Sequence, residues 1–122
     1  MIIGPFNSGI AAGGAGVATA NLDTRRITGI VRAMYVRYND APPAGTTDIV
    51  IKTKGDSAPS YNLLAIANAA TDGIFHPCKQ AVDQAGAVVA GVFESLPVDD
   101  ALNVAIAQAN NGDSIDIWLY LE

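Results

Sequence analysis

The cleanest hydrophobic pattern lies at the C-terminal end of the chain. In Leu102–Gln108, Leu102, Val104 and Ile106 fall on one face. In Ser114–Leu121, Ile115, Ile117, Leu119 and Leu121 share a face, with Asp116, Trp118 and Tyr120 opposite. A period of two is the signature of a half-buried strand. Between the two runs stands Asn110-Asn111-Gly112-Asp113, and Asn-Gly fits a type I′ turn, so a hairpin is expected there. Thr46–Lys54 alternates in the same way, with Ile49, Ile51 and Thr53 against Asp48, Val50, Lys52 and Lys54. Ile27–Tyr38 is long and rich in Ile, Val and Tyr. Unbroken alternation places Ile30, Met34 and Val36 on one side and Val31, Ala33 and Tyr35 on the other.

The remaining segments are weaker. Val17–Leu22 reads as a first strand, and Tyr61–Ala67 as a strand or a helical turn. Ile74–Val82 is a strand interrupted by Pro77, and Ala87–Phe93 is an apolar strand. Turn-forming clusters separate them: Asn39–Gly45 with its paired prolines, Gly55–Ser60, Asn68–Gly73 with an Asp-Gly, Asp83–Gly86, and Leu96–Asp100. About eight strands at this spacing, with no helix, predict an all-β antiparallel sandwich. A jelly roll is the first choice and an immunoglobulin-like sandwich the second. Residues 1–16 are Gly-rich, and are expected to form a flexible N-terminal arm before a single sandwich domain at 17–122. The arm's apolar residues Ile2, Ile3, Phe6 and Ile10 suit a segment that docks on something.

Composition narrows the function. Charged residues make up 16% of the 122, against roughly 25% in an average soluble domain. A surface so thinly charged is one that neighbouring subunits often cover. The net charge of −5 argues against nucleic acid as a partner, which needs a basic footprint. No apolar run reaches the roughly 18 residues of a membrane span, and Met1–Ile10 does not read as a secretory signal. Charge is also unevenly placed: residues 1–54 sum to +3 and residues 55–122 to −8. This reads first as strand-face solubility, and second as oppositely charged edges meeting across copies.

Catalytic chemistry is not visible. His76 and Cys78 flank Pro77, and i and i+2 share a strand face. Their roughly 6–7 Å spacing is nonetheless long for a nucleophile and its base. Asp99-Asp100, Asp113 with Asp116, and Asp83 fall short of a calcium-loop spacing, so no metal and no cofactor is expected. The one cysteine excludes an intrachain disulfide. Gly13-Gly14-Ala15-Gly16 lacks the Lys and Ser/Thr of a phosphate loop. Tyr35, Trp118 and Tyr120 sit at outward strand positions. Aromatics there serve an oligomer contact more often than a sugar platform.

The run TTDIVIKTKGD, followed by YNLLAIANAATDGIFHPCKQAVDQAGAVVAG and VDDALNVAIAQANNGDSIDIWLYLE, resembles small structural proteins of tailed-phage virions. The likeness lies in the T-T-D-x-x-I-K strand, the D-G-x-F-x-P element and the final strand pair. It covers roughly residues 25–122. It implies a capsid decoration (cement) protein on the virion surface, a homotrimer that binds the major capsid protein and braces capsomer contacts without catalysis. The interface expected on this reading comprises Ile2, Ile3, Phe6, Ile10, Tyr35, Trp118 and Tyr120. The competing expectation is a carbohydrate-binding sandwich on a virion, contacting the host surface.

Overall fold

A computed structural model describes residues 1–39, 44–56 and 59–122. Among these the regular structure is entirely β, in eight antiparallel strands. They are β1 (Ile2–Asn7), β2 (Ala18–Tyr38), β3 (Asp48–Thr53), β4 (Asn62–Ile66), β5 (Gly73–Phe75), β6 (Cys78–Val82), β7 (Val88–Ala109) and β8 (Ile115–Leu121). The proline pair of the expected 39–45 loop and the middle of the expected 55–60 turn lie outside the described residues.

Two strands of 21 and 22 residues organise everything else. The N-terminal half of β2 pairs with the C-terminal half of β7, Ala18 facing Ala109 and Val31 facing Leu96. Beyond Val31 the strand changes partner and runs beside β8, with β5 on its other edge. One layer is therefore β1-β8-β2-β5, and the other is β2-β7-β3-β4, with β2 bending through both. Each layer alternates strands from the first and last parts of the chain, which is the nesting of two Greek keys that makes a jelly roll. Ile115, Ile117 and Leu119 from the first layer meet Ile49, Ile51, Leu102 and Val104 from the second in one buried cluster. The alternation expected for β3, β8 and the end of β7 is observed residue for residue.

Four expectations give way. The segment read as an arm is the edge of a layer: Ile3 faces Leu119 and Phe6 faces Ile117 across the β1–β8 ladder, and Ser8 and Ala11 are buried. In β2 the buried positions are Ile27, Val31, Ala33, Met34 and Val36, while Ile30 is exposed. Register shifts between Asp23 and Arg26, and again between Val31 and Ala33, each add a residue. One extra residue exchanges the two faces of everything that follows, so unbroken alternation could not hold.

Leu96–Asp100, expected as a loop, is mid-strand. Pro97 fits because it lies after the β6 ladder ends at Ser95 and before the β3 ladder starts at Leu102. Finally, Asn110–Asp113 is a turn but not a hairpin, since β7 and β8 pair with other strands. The Asp113 amide donates to the Asn110 carbonyl at 3.1 Å, and only Gly112 has positive φ, at 92°. A positive φ at the second central residue alone fits a type II turn, which carries the chain from one layer to the other.

Candidate functional site

The chain's uneven charge is neutralised internally. Because β2 pairs with β7 and β8, basic residues from the first half meet acids from the second: Arg26 with Asp99 at 2.9 Å, Arg32 with Glu122 at 3.1 Å and Arg37 with Asp116 at 3.1 Å. The Thr28 hydroxyl and the Arg26 guanidinium hold the Asp99 carboxyl below its ordinary range. On the same principle, Asn103 and Lys54 lower Asp23. These pairs are more than half exposed on the basic side and each stabilises the fold by about 0–1 kcal/mol.

The buried carboxylate of Asp100 is structural. It accepts the amides of Gly55 at 2.8 Å, Asp56 at 3.1 Å and Ala101 at 2.8 Å, pinning the end of β3 to β7. Beside it, the Tyr61 hydroxyl donates to the Pro97 carbonyl. Burial, with the Asp100 charge adding to it, raises the Tyr61 hydroxyl above its ordinary pKa. Among the described residues, no three His, Cys, Asp or Glu side chains gather as metal ligands would.

The seven residues expected as an interface are divided by the fold. Ile3 and Phe6 turn inward and pack on the core. Tyr35 and Trp118 stand opposite each other on the outer face of the first layer, ring centroids 5.6 Å apart and tilted by 47°. The Arg37 guanidinium covers Trp118 at 4.7 Å from the ring centroid, a cation–π contact. The β1 backbone closes over the indole as well. A Cβ on Gly4 would come within 2.7 Å of the Ile117 carbonyl and 3.3 Å of the Trp118 ring, so only glycine fits that crossing. These aromatics are half-buried second-layer packing. Ile2 and Ile10 remain exposed, and Tyr120 faces Ile2 across the ladder.

The exposed apolar surface gathers elsewhere. β6 and the first residues of β7 form a two-stranded ribbon, Cys78 opposite Ser95 and Lys79 opposite Glu94. Asp83 builds its turn by accepting the amides of Ala85 and Ala87, both at 2.9 Å. All of residues 88–94 are exposed, and Val82, Val88, Val89, Val92 and Phe93 are 40–60% accessible. Gln80 faces Phe93 and Val82 faces Val88, so those apolar side chains share one face. Val89 and Val92, their sequence neighbours, point to the other.

At the ribbon's base an open groove of about 740 Å³ runs between Phe93, Ile30 and Tyr120, with Arg32 and Glu122 paired across it. His76 and Cys78 line the same groove, and the His76 Nδ1 lies 3.3 Å from the Arg32 carbonyl oxygen. The sequence carried a signal for this site. Residues 84–93 hold no charge, and 88–93 are apolar at both strand parities. Such a strand is either covered on both faces or lacks its partners.

No family model and no curated protein matches the sequence. Among solved structures, a mutant of the family 29 carbohydrate-binding module CBM29-2 overlaps 90% of this chain and 67% of its own, at 12% identity and a TM-score of 0.42. That likeness is too distant to bring a ligand with it.

Proposed function

We propose that this chain is a non-enzymatic structural protein of a tailed-phage virion, a decoration subunit that adheres to the capsid surface, to the major capsid protein and to copies of itself. The observation that carries this reading is the projecting ribbon at residues 78–95, apolar on both faces. A lone two-stranded ribbon is marginal in water, and a contiguous exposed apolar surface of this kind marks a contact. The thin charge of the whole chain and the resemblance of its strand cadence to virion proteins support the same reading. Adhesion that exists only on an assembled shell stabilises that shell by mass action.

The test uses expanded heads of the phage that encodes this chain, prepared without it. Purified chain added to them is expected to co-sediment at saturable stoichiometry and to raise the temperature at which the heads rupture. A chain that leaves rupture unchanged and instead gives reproducible hits on a glycan array would replace this reading with a carbohydrate-binding module.

A further inference from the structure

The ribbon has two apolar faces, and one neighbour can cover only one of them. We infer that residues 78–95 close a ring of at least three copies of this chain, each ribbon held between the ribbons or grooves of two neighbours. This deepens the proposed structural role by naming the occupant of that surface.

Three observations select a second copy as the occupant. The first is charge. At a net −5, two copies repel, and contact is easiest where charge is absent. Residues 84–93 carry none, and Lys79 stands opposite Glu94 at the ribbon's base. The second is shape: ridge and recess belong to the same chain. Val82 and Val88 near the ribbon tip are a projecting apolar pair, and the groove beside Phe93, Ile30 and Tyr120 offers apolar walls to receive them. A ridge of one copy seated in the groove of the next is a head-to-tail contact, which closes into a ring when the rotation allows. The third is size. The eighteen residues of the ribbon and the seven groove residues outside it match the roughly 20–30 residues a side of a stable interface.

The two faces make the inference testable with single substitutions. Phe93→Asp charges one face and Val92→Asp the other, and both sites are exposed, so each variant keeps its circular dichroism spectrum and thermal midpoint at monomer concentrations. The intact chain is expected to sediment at three or more times its 12.6 kDa mass at micromolar concentration. Each variant is expected to raise the midpoint of association about thirty-fold or more, the size of a central interface residue. A chain that stays monomeric to about 100 µM overturns the ring; micromolar association is the weak end of specific binding. A stable pair that Phe93→Asp dissolves and Val92→Asp leaves intact overturns it too, because a pair covers one face only. If both variants keep the oligomer of the parent chain, another surface closes it. A monomeric chain whose head binding is lost in both variants assigns the ribbon to the shell protein. The proposed role fails separately: a ribbon-dependent ring that binds no heads leaves the inference standing and removes the virion reading.

Discussion

One strand, β7, holds both extremes of this molecule. In its C-terminal half Leu102 and Val104 are fully buried; in its N-terminal half Val88 and Phe93 are about 60% exposed. The residue types are alike and the backbone is continuous. What differs is the neighbourhood: Leu102 to Ala107 lie between β2 and β3, whereas Val88 to Ser95 have β6 alone. Hydrophobicity sets how much a side chain gains by leaving water, and pairing partners decide whether it can. The body has spent its apolar residues on its own core, and the ribbon still holds its share.

Core truncation breaks the comparison most sharply. Ile117→Ala or Ile106→Ala is expected to lower stability by about 2–5 kcal/mol in a urea titration. Val92→Ala in the ribbon, measured on monomer, is expected to change it by less than about 0.5 kcal/mol. Equal losses at the two sites would mean that the ribbon is packed like the core.

Asp100→Ala is next. It strands three amides that bind the end of β3 to the body half of β7, at a cost of about 1–3 kcal/mol. The same titration on Asp83→Ala, in the ribbon turn, is expected to show a smaller loss, because water can replace that acceptor. Gly112→Ala, at the positive-φ corner between layers, is expected to cost about 1 kcal/mol.

The smallest effect is a pH dependence confined to the body. Burial, with the Asp72 charge adding to it, pushes the Tyr38 hydroxyl up from 10.0 to about 12. The folded state holds that proton more tightly than the unfolded chain, so the stability it contributes is complete below pH 10 and fades as pH rises through about 12. Unfolding midpoints between these values are expected to fall less steeply in Tyr38→Phe. Identical slopes would remove Tyr38 from the account.

How much of this was legible beforehand depended on the element. β3, β8 and the body half of β7 were readable because each keeps one face to the core without interruption. β2 was not, because two register shifts reverse its faces and a bulge leaves no mark in a pattern of period two. Pro97 looked like a loop residue because the sequence does not say which strand edges lie free. Asn110-Asn111-Gly112 announced a turn, yet not whether the strands it joins would pair. For the site, Ile3 and Phe6 were drawn into the expected interface by their place in a Gly-rich segment, and the ladder with β8 took them inward.

The amino-acid order by itself determined the strand content, the inward residues of the regular strands and a chain nearly free of chemistry-bearing clusters. These follow from local rules: side-chain alternation, φ preferences and the cost of burying charge. Only the tertiary structure decided that β2 and β7 cross both layers, that the halves of opposite charge neutralise each other, and that Val88 to Phe93 are left uncovered. Those outcomes depend on which distant strands become neighbours, and pairing partners are a property of the whole chain closing on itself.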